Sequence, residues 1–192
     1  MTFDKSEKNK YVSKNRTHKN KKDMNNDMIY SKNIYSNEMF SKIKNYCSQI
    51  SENDMIDDTK ASGRLMYVIK NEDPILKYIY NDDFIEKIRK LTGKSNLIPC
   101  KEVPVEYRKY IRGSFMDWHK DTQMLPDQLQ YECVITITNT SNSRSSFRKK
   151  MRTVNVKSKP NSIIIVRANG IPHKVSKTTR GERTILKLVF KE

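Results

Sequence analysis

The sequence predicts an α+β protein in which helices come first and a β-sandwich or jelly roll follows. Three observations carry that prediction. Apolar residues recur at three- and four-residue spacing between 36 and 93, β-branched runs dominate after Gly93, and the longest purely aliphatic run is the four residues Ile163 to Val166. Helices followed by many short strands are the mark of segregated α and β layers. Runs this short exclude a transmembrane helix, so no membrane partner is expected. The Lys/Asn-rich residues 1–23 lack the apolar stretch of a secretory signal. Cys47, Cys100 and Cys133 have neither disulfide-framework nor zinc-finger spacing. An intracellular protein, cytoplasmic or nuclear, is the expectation.

Taken in order, residues 1–28 read as a disordered basic tail, with too few apolar side chains to offset the entropy of ordering. Residues 29–192 are expected to form one domain, with helical support over 36–93 and a catalytic β core over 95–190. The first helix begins at Ser36 or Asn37 as N-cap and buries Met39, Phe40, Ile43, Tyr46, Cys47 and Ile50. A strand follows over Arg64 to Lys70. The second helix runs from near Pro74 to Thr92, where Gly93 stops it. Beyond it the chain is extended over 95–112, with Pro99 and Pro104 suited to edges. Strands are then expected over 131–140, 152–157, 162–167, around Val175 and over 184–190.

Charge is concentrated late. Lys and Arg number 38 against 22 Asp and Glu, a net of +16, and residues 144–192 alone hold 14 basic and two acidic groups. Such an excess attracts polyanions, and segment 144–159 is the candidate contact for nucleic acid. No helix-turn-helix, zinc-finger or RNP-like aromatic pattern accompanies it, so a solvated basic face explains the same count.

Of three histidines, two have a chemical context. His119 and Asp121 form His-x-Asp, and on an extended segment i and i+2 share a side, so both reach one ion. His173 follows a predicted strand and the turn Asn169-Gly170-Ile171-Pro172. Two imidazoles and one carboxylate fill one face of an octahedron and leave the other open, the ligand set of non-haem Fe(II) oxygenases. Ten residues on, Arg183 stands at the entry to the strand TILKLVF, where a guanidinium can clamp a carboxylate.

Tyr110, Gly113, His119, Asp121, His173 and Arg183 together match Tyr-x-x-Gly, six residues to His-x-Asp, and a distal His with Arg ten residues later. In this pattern, over about residues 95–190, the chain resembles the 2-oxoglutarate- and Fe(II)-dependent dioxygenases of the prolyl 4-hydroxylase-like branch. It departs from the family at Met116, where an aromatic is usual, and at Pro160-Asn161-Ser162, which lacks the glycine of Pro-x-x-Gly. The resemblance implies a double-stranded β-helix (jelly-roll) core. It implies Fe(II) on His119, Asp121 and His173, with 2-oxoglutarate and O2 as co-substrates and ascorbate as accessory reductant. Arg183 would pair with the distal carboxylate of 2-oxoglutarate and Tyr110 would contact the co-substrate. Tyr131 is the first choice for a second donor to that carboxylate, with Thr136 and Thr138 as rivals. The implied reaction is hydroxylation of a peptidyl side chain, proline first, on a protein or peptide partner. The alternatives are an AlkB-like nucleic-acid demethylase and a non-catalytic basic binding module on the same fold.

Overall fold

The computed structural model describes residues 28–192; the expected tail lies outside the described residues except for Met28. In chain order the elements are β1 (Met28–Lys32), α1 (Asn37–Gln49), a single 3-10 turn (Glu52–Asp54), β2 (Ile56–Asp57), β3 (Ser62–Ile69), α2 (Leu76–Ile79), α3 (Asp82–Thr92) and β4 (Ile98–Pro99). There follow β5 (Val105–His119), β6 (Gln130–Asn139), β7 (Ser145–Lys149), β8 (Arg152–Val156), β9 (Ser162–Arg167), β10 (His173–Val175) and β11 (Arg183–Lys191).

The helices start and stop where side-chain chemistry dictates. Ser36 caps α1 by accepting from the Met39 amide, and Asn81 caps α3 by accepting from the Phe84 amide. Gly93, in the left-handed conformation at φ 70°, closes α3. The single helix expected from Pro74 to Thr92 is two. Asn81 takes an extended conformation as N-cap, so the chain restarts there instead of continuing from α2.

The strands form two antiparallel sheets that share β5. The first runs β1-β9-β6-β11-β5-β3-β2, with β4 paired to the end of β11. The second runs β5-β10-β7-β8. The amino half of β5 pairs in the first sheet at Tyr110↔Arg183, and its carboxyl end pairs in the second at His119↔His173. Gly113, at φ 96°, sits where the strand passes from one sheet to the other. This is the double-stranded β-helix arrangement.

Period-2 alternation explains the packing. Cys133, Ile135, Ile137, Ile163, Ile165, Leu186, Leu188 and Phe190 face the helices and join Ile43, Ile79, Phe84 and Ile88 in the main core. The opposite face of the same strands looks between the sheets, where Ile164 and Val166 meet Phe147, and Tyr110 meets Val175 and Ile185. Strand β9 is therefore apolar on both faces, which is why it reads as the uninterrupted run Ile163 to Val166.

Besides the two-residue β2, two strands were not expected. β1 lies within Met28–Lys32 and pairs with β9, and β7 occupies Ser145–Lys149. With β8 it makes a hairpin turning at Lys150, φ 53°. Segment 144–159, the candidate contact for nucleic acid, is thus largely hairpin. Its serines at 145 and 146 are buried, and they hid a strand behind a loop-like composition. β5 also runs seven residues past the expected end at 112, because Gly113 bends the strand without ending it.

Candidate active site

Strands β5 and β10 set His119 and His173 directly opposite one another, with ring centroids 4.2 Å apart. Asp121, two residues past His119, lies 3.7 Å from its Nε2 through Oδ1 and 3.4 Å from the Nε2 of His173 through Oδ2. The donor atoms of all three lie within 4.8 Å of one another. Both imidazoles are held from behind. The Asp117 carbonyl lies 2.7 Å from His119 Nδ1 and the Ile171 carbonyl 3.2 Å from His173 Nδ1. A carbonyl can only accept, so each ring carries its proton on Nδ1 and turns the Nε2 lone pair to the common centre. Phe147 stacks on His173 at 5.6 Å.

The electrostatics follow from this geometry. Burial raises the Asp121 carboxyl, but the two imidazoles outweigh it and the pKa is lowered. Burial lowers His119, yet Asp121 and the Asp117 carbonyl prevail and the net shift is upward. For His173 burial and the neighbouring His119 win, and the shift is downward. An anion flanked by two imidazoles whose free lone pairs converge is a divalent-cation site of borderline softness.

From this triad a cavity leads inward, walled by Val134, Ile164, Val166, Val175 and Ile185. At its far part stands Arg183, 2% exposed. Its Nη1 donates to Ser145 Oγ at 3.1 Å and its guanidinium lies 5.6 Å from the Tyr110 ring. Its Nε has no hydrogen-bond partner and, among the described residues, no carboxylate pairs with it. Burial, and Arg64 nearby, pull its pKa below the ordinary value despite Tyr110. A buried unpaired guanidinium is costly; an incoming carboxylate would remove that cost.

Tyr110 is buried and lines this cavity, with a companion the sequence did not suggest. Strand register places Arg64, Tyr110 and Arg183 in one line across β3, β5 and β11. Arg64 Nη1 donates to the Tyr110 hydroxyl at 2.6 Å, while its Nε donates to Asp58 Oδ2 at 2.8 Å. The signal available for Arg64 was its place as a lone charge in SGRLMYVI, which gave no indication of direction.

Tyr131 requires a correction. It shares the helix-covered face of β6 with Cys133, Ile135 and Ile137 and joins the main core, because odd-numbered positions of this strand turn from the cavity. Glu132 and Val134 line the cavity instead. Of the rivals, Thr136 is fully buried with its hydroxyl unpartnered among the described residues, and Thr138 is tied to Thr184 Oγ1 at 2.7 Å.

The interior also holds a row of charges that sequence reading missed. Lys187 lies 3.3 Å from Glu132 and 4.0 Å from Glu106; Glu106 pairs with Arg108 at 2.5 Å, and Arg108 lies 3.6 Å from Asp58. Strict alternation was the usable signal, since Lys187 in TILKLVF and Glu132 in YECVITI both occupy cavity-facing parity. Trp118 lines none of this; its ring is covered by Arg148 at 4.7 Å and Lys174 at 5.0 Å.

No protein-family model matches the chain, and no curated protein matches its sequence. Solved structures do match in fold. A prolyl-4-hydroxylase from Pseudomonas putida superimposes with TM-score 0.67 at 12% identity, over 86% of this chain and 92% of that one. A prolyl hydroxylase from Trichoplax adhaerens, in complex with a hypoxia-inducible-factor peptide fragment, gives 0.62 at 12%, over 86% and 83%. HygX from Streptomyces hygroscopicus, with nickel and 2-oxoglutarate bound, gives 0.65 at 7%, over 85% and 82%. At these identities the likeness is one of fold.

Proposed function

We propose that this chain is an Fe(II)- and 2-oxoglutarate-dependent oxygenase that hydroxylates a side chain of a peptide or protein, with proline the first substrate to test. The observation that carries the reading is the pairing of two features at opposite parts of one cavity. A His-Asp-His cluster with converging lone pairs stands at the mouth, and a buried guanidinium without a carboxylate stands within. Solved structures of the same fold include enzymes of this chemistry.

His119, Asp121 and His173 would hold the iron, three protein donors leaving positions open for co-substrate and O2. Iron and 2-oxoglutarate together would supply O2 activation, giving succinate, CO2 and a hydroxylated product, with ascorbate as accessory reductant. The chain's own residues do the rest. The Asp117 and Ile171 carbonyls fix both imidazole tautomers before metal arrives. Arg183, held by Ser145, neutralises the distal carboxylate of the co-substrate. The Tyr110 hydroxyl accepts from Arg64 and so keeps its own proton for a partner on the cavity side. Val134, Ile164, Val175 and Ile185 exclude water and leave few places for a charged ligand other than against Arg183.

The test is Fe(II)-dependent conversion of 2-oxoglutarate to succinate, run alone and with proline-containing peptides, free amino acids and methylated oligonucleotides. The expected result is slow turnover alone, stimulated by a peptide that gains the mass of one oxygen. Absence of both 2-oxoglutarate binding and succinate would overturn the reading. Oligonucleotide demethylation without peptide hydroxylation would replace it with the nucleic-acid alternative. Among the described residues no helix is long and apolar enough to cross a membrane.

A further inference from the structure

A second cavity, about 330 Å³, also borders His119 and Asp121 and shares Arg64, Arg108, Met116 and Glu132 with the first. We infer that this cleft takes the substrate and is built for an acidic peptide, whose carboxylates beside the reacting residue are held by Lys60 and Lys120. The inference rests on the oxygenase reading for the identity of the reacting end, and on charge for the rest.

The buried cations around the cleft are already matched. Arg64 is 2.5 Å from Asp58, Arg108 is 2.5 Å from Glu106, and Lys187 is 3.3 Å from Glu132. Asp121 is committed to the two histidines. Lys60 and Lys120 also line the cleft, both exposed, and among the described residues neither has an acidic partner. The surplus is therefore two positive charges at the rim.

Their positions are set by the structure and not by chance of a loop. Asp58 Oδ1 accepts from the Lys60 amide at 2.9 Å while Oδ2 binds Arg64. The Asp58 amide donates to the Arg64 carbonyl at 2.8 Å and the Ala61 amide to the Asp58 carbonyl at 3.2 Å. The turn carrying Lys60 is thereby clamped to the Arg64 that touches Tyr110. Lys120 sits between His119 and Asp121 in sequence, and the Asp121 carbonyl accepts from the Asn169 amide at 2.8 Å. Each lysine thus stands at a fixed backbone distance from the triad.

A peptide suits the cleft better than a nucleic-acid strand. Binding of single strands, or of a flipped base, relies on stacking against ring faces, and no Phe, Tyr or Trp lines this cleft; its one ring, His119, is committed to the triad. Its apolar contacts are Met116 and Met124, adaptable thioethers suited to side-chain stems.

The test is fluorescence anisotropy with the full chain and a labelled proline-containing peptide rich in Glu, against the same peptide with Gln for Glu and against a single-stranded oligonucleotide. The Glu peptide should bind about tenfold tighter than the Gln peptide. The preference should vanish in K60E/K120E, two exposed substitutions that leave the circular-dichroism spectrum unchanged, and should persist in R148E/R152E. Equal binding of the Glu and Gln peptides, tighter binding of the oligonucleotide, or equal loss in R148E/R152E would each overturn the inference. Succinate formation and 2-oxoglutarate binding, measured in parallel, separate the two claims. Turnover without Glu preference sinks only the acidic cleft, and Glu preference without 2-oxoglutarate binding sinks only the oxygenase.

Discussion

Arg183 offers the sharpest test at the scale of single residues. Its guanidinium is buried with one hydroxyl as hydrogen-bond partner, so a ligand carboxylate has a full charge to meet there. Arg183→Ala should weaken 2-oxoglutarate binding by about 2–5 kcal/mol, read by calorimetry with Mn(II) in place of iron. Arg180→Ala, at an exposed position three residues earlier, should change it by only a few tenths of a kcal/mol. His173→Ala should abolish Mn(II) binding while the circular-dichroism spectrum stays native. Retained metal affinity in that variant would remove the triad. Both histidines, Asp121 and Arg183 were legible from spacing, because their chemistry is rare and their intervals are fixed by strand geometry. Tyr131 was not, since the choice between it and Thr136 turned on which face of β6 looks inward. A strand buried on both faces does not mark its inner side by hydrophobicity.

At the scale of elements, the approach to β11 is under tight constraint. Gly181 has φ 66°, and a Cβ there would lie 2.4 Å from the Thr140 carbonyl oxygen. Gly181→Ala should therefore displace the start of the strand that carries Arg183. We expect a loss of at least about 1–2 kcal/mol of stability and a raised 2-oxoglutarate KM; unchanged values of both would show the turn to be compliant. At α1, Ser36→Ala should cost about 1 kcal/mol in chemical denaturation, through the cap alone, with 2-oxoglutarate binding untouched. Caps and stops were the most readable features, since Ser36 and Gly93 act through chemistry local in sequence. Strands β1 and β7 were not readable. β1 is marginal until β9 pairs with it, and β7 hides buried serines in a polar stretch.

Across the whole molecule, two properties follow from what is enclosed. All three cysteines are buried, and burial pushes the Cys47 thiol up to about 12 and raises Cys100 and Cys133 as well. Thiol reagents should label none of them quickly in the native state, and labelling should track global unfolding by denaturant; one fast thiol would contradict this packing. The second property is acid sensitivity. Burial raises the Asp58 carboxyl, but the Lys60 amide, Arg64 and Arg108 more than offset it, and the folded pKa lies below the ordinary value. Its contribution is complete above the unfolded value near ~4 and is lost as pH falls through the folded one. Asp58→Asn should lower stability at neutral pH and flatten the acid limb of the stability profile. An unchanged acid limb would place the sensitivity elsewhere, in the other buried carboxylates.

The strand common to both sheets acts as a measuring rod. Tyr110 and His119 are graduations on one piece of backbone, so the interval between these two walls of the cavity is counted in residues. A one-residue deletion between them would turn every later side chain to the wrong side, and no repacking elsewhere restores the count. The segments at 122–129 and 150–151 join finished edges and bear no such measure. Insertions and deletions tolerated by this protein should therefore gather there, while the interval from Tyr110 to His119 keeps its length even where its letters change.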